Sequence, residues 1–207
     1  MLKDLSLKAF ANDVDSEEAV PGGGSVSALA GCLAASLTAM VAALTLRKEK
    51  FRRVAPQMAE IREKATALQQ ELLDAVDKDA DSYRQVLAAF RLPKATDEEK
   101  NERSAAIQAA FKRAAEVPLE VAQAALGVID LAGQAVREGN PDMITDAGVG
   151  VLMARSAALG ALMNVAINLG SLKDRVVVEA LLGRVKRMQS DVIRKETEIL
   201  RMLEIIE

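Results

Sequence analysis

Asp79 stands where a buried side chain belongs. From about Pro56 to Phe90, apolar residues recur in steps of three and four, at Met58, Ile61, Ala65, Leu68, Leu72, Val76, Tyr83, Val86 and Phe90. Asp79 falls on that stripe between Val76 and Tyr83. A carboxylate so placed is either desolvated, with a pKa raised toward the range useful for proton transfer, or paired with a cation. An Asp bonded to a backbone end or an Arg is the plainer alternative. Asp77 and Asp81 fall on other faces and read as solvated.

Two further stretches carry residues of chemical interest. In Pro21-Gly22-Gly23-Gly24-Ser25, a glycine-rich turn feeds a helix start, with Ser25 as the expected N-cap. Such a start presents free N–H groups and the positive end of the helix dipole, which can hold a carboxylate or phosphate. No Lys follows the glycines, so this is not a Walker loop. A tight turn that lets helices pack closely is the alternative. The other stretch joins Thr145-Asp146 to Asn164 and Asn168 on a helix otherwise apolar apart from Arg155. Asn164 and Asn168 are one turn apart, whereas Asp146 and Asn164 are separated by about 27 Å on a continuous helix. One substrate reaches both only if the helix breaks near Gly148 and Gly150 or a dimer brings opposite ends together. Buried Asn residues can equally bond one helix to another.

The chain has no His and one Cys, Cys32. Ser-His-Asp and Cys-His nucleophiles, His-ligated zinc and imidazole acid–base chemistry are therefore excluded. A single Cys also excludes internal disulfides and Cys-cluster zinc sites, and it fits a reducing, cytoplasmic setting. The first 18 residues carry five acids and no apolar run, so no signal peptide is expected. With 27 Lys plus Arg against 30 Asp plus Glu, and 2% aromatic residues, nucleic acid is not the expected partner.

Long helices must position these groups. The chain is rich in Ala, Leu, Glu, Lys and Arg and poor in β-branched runs, which favours helix over strand. A short amphipathic segment, Leu2–Asn12, precedes an acidic linker and the glycine turn. Main helices are expected from Ser25 to about Arg47 and from Pro56 to Phe90. The third starts at the capping box Thr96-Asp97-Glu98-Glu99, kinks at Pro118 and ends at Gly139. The fourth covers Asp142 to Leu169. The last carries Val178, Leu181, Val185, Met188, Val192, Ile199, Leu203 and Ile206 on one face. The expected fold is all-α: one single-domain bundle of about five long antiparallel helices around a central Ala/Gly-rich helix.

Val26–Leu46 is free of charge, long enough to span a bilayer, and followed by Arg47, Lys48, Lys50, Arg52 and Arg53. It is mostly Ala with Ser27, Ser36, Thr38 and Thr45, however, and such a helix suits the middle of a soluble bundle. A protein without a membrane partner is the expectation.

In order, the motifs Pro21-Gly-Gly-Gly-Ser-Val26, Asp77 and Asp79 before Tyr83, Leu92-Pro93-Lys94, Glu99-Lys100 with Arg103, Val117-Pro118-Leu119, Gly139-Asn140, Thr145-Asp146 and Asn164-Val165-x-x-Asn168-Leu169 resemble the cyclodeaminase/cyclohydrolase family of folate enzymes. The resemblance covers nearly the whole chain. Arg47 replaces a usual glycine and Thr145 a frequent Ser. The resemblance implies a helical homodimer acting on tetrahydrofolate one-carbon units, with no metal and no cofactor beyond the folate substrate. Family members close 5-formiminotetrahydrofolate to 5,10-methenyltetrahydrofolate with loss of ammonia, or hydrolyse the methenyl bridge. Asp79 and Asp146 are then the catalytic candidates. Gly22, Gly23, Gly24, Ser25, Tyr83, Asn164 and Asn168 are candidates for binding substrate. Lys94, Lys100 and Arg103 are candidates for the glutamate tail, or simply cations at a solvated helix end.

Overall fold

A computed structural model describes residues 1–203. Six α-helices follow one another: α1 (Leu7–Val14), α2 (Gly23–Leu46), α3 (Ala55–Phe90), α4 (Asp97–Glu138), α5 (Ile144–Leu169) and α6 (Arg175–Leu203), with no strand among the described residues. The all-α expectation holds, with five long helices and one short one. The expected first segment divides in two: Leu2–Asp4 is a 3-10 turn, and α1 starts afresh where the Ser6 hydroxyl accepts the Ala9 N–H. Ile206, expected on the last stripe, lies outside the described residues.

Side-chain caps mark the start of α4 and the turn ahead of α5. At the start of α4 the Thr96 hydroxyl accepts the Glu99 N–H at 3.2 Å, and the Glu99 carboxylate accepts the Thr96 N–H at 3.0 Å. This reciprocal pair satisfies two donors that the first turn leaves open. Asn140 caps the short turn ahead of α5 by accepting the Asp142 N–H. Its own N–H donates to the Thr45 hydroxyl at 3.0 Å, tying the α4–α5 corner to the end of α2.

Small residues let α2 and α5 approach closely in antiparallel register. Gly23 lies against Asn164, Gly160 against Ser27, Gly31 against Ala157, and Gly150 against Ala34 and Thr38. This pair packs on α3 and α4, and α6 packs against α5 and α4. The core is Leu72, Val76, Val121, Val128, Ile129, Val151, Val165 and Leu169 among many Ala residues, all buried. The α3–α4 hairpin runs on past Asp79 and carries its own small cluster of Val86, Ala89, Ala110 and Ala114.

Two expectations about α2 change. Its N-cap is Gly22 and not Ser25, which lies inside the first turn and is fully buried. Nor is α2 enclosed on all sides. Val26, Leu33 and Met40, spaced by seven, remain exposed, and Val149, Leu152, Met163 and Ile167 of α5 face outward on the same side. α2, α4 and the segment from Pro141 to Leu169 are each long and apolar enough to cross a membrane by length and composition.

Candidate active site

The first turn of α2 and the middle of α3 meet at Asp79. Gly24 packs so closely there that a Cβ on it would fall inside the Asp79 carboxylate. The absence of a side chain therefore lets the carboxylate reach Ser25 in the open first turn of the helix. Asp79 accepts from the backbone N–H of Ser25, and its Oδ2 lies 3.0 Å from the Ser25 hydroxyl. The same hydroxyl lies 3.0 Å from the Val76 carbonyl.

Burial raises the pKa of Asp79 above the usual carboxylate value, and the two bonds from Ser25 oppose that shift without cancelling it. Ser25 has one proton and two acceptors in reach. When Asp79 is ionised, the hydroxyl is divided between the carboxylate and Val76. When Asp79 is protonated, its O–H can donate to Ser25 Oγ while Ser25 donates to Val76. The site thus accommodates both protonation states, as a proton-transfer group requires.

Asn164 completes this end of the bundle. It lies against Gly23, and its Nδ2 donates to the Gly160 carbonyl at 2.9 Å. Tyr83 sits one turn beyond Asp79 on α3, partly exposed at 38%. Gly23, Gly24, Ser25, Asp79 and Asn164 therefore converge, with Gly22 as the cap beneath them and Tyr83 at the edge.

The other sequence candidates lie elsewhere. Asp146 is half-buried in the first turn of α5. Because α5 is unbroken through Gly148 and Gly150, Asp146 stands about 27 Å from Asn164 in the same chain. Lys94, Lys100 and Arg103 lie around the α3–α4 tip, where Phe90 is about 16 Å along α3 from Asp79. Lys100 pairs with Asp97 at 2.7 Å. Arg103 donates to the Phe90 carbonyl at 3.2 and 3.3 Å and stacks over its ring.

Asp77 is not the solvated group its position on the helix suggests. It accepts the Leu2 N–H at 2.6 Å, and its other oxygen is buried, with no partner among the described residues. Helix periodicity gives a direction but not the path of the N-terminal segment that covers it. Asp81 is exposed and pairs with Arg84, as expected.

For Asn168 the helix-to-helix alternative is the one realised, though its partner was not foreseen. Its Nδ2 donates to Ala114 O and to Asn164 O, each at 2.9 Å. The signal was present four residues beyond Ala114: Pro118 has no N–H, so Ala114 loses its helical donor.

Three known proteins are similar to this chain. A methenyltetrahydrofolate cyclohydrolase from Methylorubrum extorquens is 36% identical over 191 residues, 92% of each chain. A formimidoyltransferase-cyclodeaminase from Rattus norvegicus is 31% identical over 203 residues, and the chain spans only 38% of that protein's length. The crystal structure of a formiminotetrahydrofolate cyclodeaminase from Thermotoga maritima superimposes with a TM-score of 0.88 at 25% identity, covering 99% of this chain and 98% of that one. Residues 6–187 match the model of one family, and with that match and these relatives the chain belongs to the formiminotransferase-cyclodeaminase family.

Proposed function

We propose that the protein is a formiminotetrahydrofolate cyclodeaminase, closing 5-formiminotetrahydrofolate to 5,10-methenyltetrahydrofolate with release of ammonia. The observation that carries this reading is Asp79, a carboxyl whose affinity for a proton is raised by burial, set at the glycine-rich start of α2 in a chain without His. Attack of N10 on the formimino carbon gives a tetrahedral carbon between N5 and N10, bearing an amine. That amine must gain a proton before the C–N bond breaks and ammonia leaves. Asp79 is the donor in this reading, and the Ser25 hydroxyl and N–H hold the carboxylate that remains. Gly23, Tyr83 and Asn164 are the residues assigned to meet the folate ring in this reading. The reaction so written uses no metal and no cofactor.

A second reading, methenyltetrahydrofolate cyclohydrolase, is favoured by the Methylorubrum extorquens relative, which matches nearly end to end. There the ionised Asp79 takes a proton from the water that attacks the methenyl carbon.

The outer face of α2 and α5 supports a homodimer. It carries no charge on α2, and its exposed residues are apolar apart from Thr145 and Ser156 of α5. A two-fold axis lying in that face and crossing the helices would bring Asp146 of one copy toward the Asp79 end of the other. In this reading a second copy covers that face, so the protein needs no membrane partner, and the lone cysteine, Cys32, fits the cytoplasmic setting proposed for it.

The test is spectroscopic. The methenyl absorbance is followed after mixing the protein separately with 5-formiminotetrahydrofolate and 5,10-methenyltetrahydrofolate. Its accelerated appearance with the first gives the deaminase, and its accelerated loss with the second gives the hydrolase. No change in either removes the enzyme reading and leaves a helical scaffold.

A further inference from the structure

Pro118 in α4 and the Asn pair at the end of α5 form one device. α4 continues through Pro118, but a proline has no N–H, so the Ala114 carbonyl one turn back has no donor within its own helix. Ala114 and Pro118 are both buried, and a buried carbonyl needs a partner. The partner is Asn168 on α5, at 2.9 Å.

The amide nitrogen of Asn168 has two protons, and the second goes to the Asn164 carbonyl, also at 2.9 Å. Since both neighbours are carbonyls, only the amide orientation with the nitrogen toward them fits. Neither N–H is left over for a ligand. Asn164 in turn lies against Gly23, next to the Gly24–Asp79 contact.

We infer that Asn168 is a positioning residue: by filling the carbonyl that Pro118 leaves open, it locks the last turns of α5 in the register that holds Asn164 against Gly23. This rests on reading the Asp79 end as the active site. A slip of one residue along α5 would move Asn164 by about 1.5 Å and rotate it by about 100°. Any residue with a backbone N–H in place of Pro118 would satisfy α4 internally and remove the need for a bond from α5. The Pro118–Asn168 pair instead gives up one helical hydrogen bond in exchange for a tie between helices.

The experiment uses Asn168→Ala, Pro118→Ala and the double variant, with whichever of the two folate substrates the wild type turns over. Absence of wild-type turnover would end the functional reading itself, separately from this one. Asn168→Ala should lower kcat about tenfold or more with KM within about threefold. It should also lower the melting temperature by roughly 2–6 °C, because the Ala114 carbonyl is orphaned. In the double variant, the Pro118→Ala change restores the missing N–H, so the melting temperature should return to that of Pro118→Ala alone while kcat stays about tenfold down. Recovery of kcat together with stability would reduce Asn168 to a filler and overturn the inference. A rise in KM with kcat unchanged would overturn it too, by making Asn168 a substrate contact. If Asn168→Ala alone does not fold, the double variant carries the same decision.

Discussion

At the scale of single residues, the proposed chemistry rests on a carboxyl whose hold on its proton is raised by burial. Its protonated form is favoured in the folded state more than in the unfolded chain, since burial raises the Asp79 pKa. The native fold thus binds this proton more tightly. The associated stability is fully present below the ordinary carboxylate range and is lost as pH rises through the raised value. Asp79→Asn has no proton to lose, so its melting temperature should gain on the wild type as pH is taken from about 4 to 7. The same substitution should lower turnover by on the order of 100-fold or more, leaving folate binding within a few fold. Thermal melts across pH, together with kinetics, check both; unfolding of the variant at every pH would assign Asp79 to structure. Asp79 was legible in the sequence because a charge on an apolar stripe is visible without coordinates. Asp77 was not, because the group that covers it is the backbone of Leu2, 75 positions away. Ser25 was half legible: its place at a helix start was evident, but the cap expected there falls to Gly22, three residues earlier.

At the scale of elements, the glycine turn separates close approach from mere flexibility. Gly24 leaves no room for a Cβ, whereas a Cβ on Gly23 would meet Asn164 Nδ2 at an ordinary 3.5 Å. Both residues lie in the first turn of α2. Gly23→Ala should therefore be neutral or stabilising by up to about 1 kcal/mol through helix propensity. Gly24→Ala should cost about 1–3 kcal/mol and displace Asp79. A pair of denaturant titrations distinguishes them, and equal effects would show that the turn, not the carboxylate, sets the requirement for glycine. Helix extents were readable from stripes and caps, as at Thr96 and Glu99. What Pro118 does to α4 was not, since a proline in a helical pattern reads as a kink until the donor from another helix is known.

At the scale of the whole molecule, the outer face of α2 and α5 carries the proposed assembly. Leu33 is 43% exposed near the middle of α2, in a helix with no charged residue. If that face pairs with a second copy, Leu33→Glu should bury a charge at the interface and shift the protein from dimer to monomer. Light scattering after size exclusion reads the mass directly; a wild type that is already monomeric would remove the dimer. The sequence made the bundle legible because its helices are long and periodic. It could not show that α2 and α5 lie side by side, for they are separated by two longer helices. That adjacency follows from small residues meeting at Gly23, Ser27, Gly31 and Gly150.

The seam between α2 and α5 also has a thermodynamic character of its own. Gly and Ala have almost no side-chain rotamer freedom to lose on folding, whereas each buried Met or Leu surrenders some. Ordering these two helices against one another therefore costs backbone entropy and little besides, and the gain comes from backbone-level contact rather than from large apolar side chains. Such a seam has little slack: a methyl added at Gly31 would have to displace Leu72, and one added at Gly160 would meet the Ser27 hydroxyl. The part of the molecule cheapest to order is thus the least able to accept a larger side chain, and the Asp79 end is built on it.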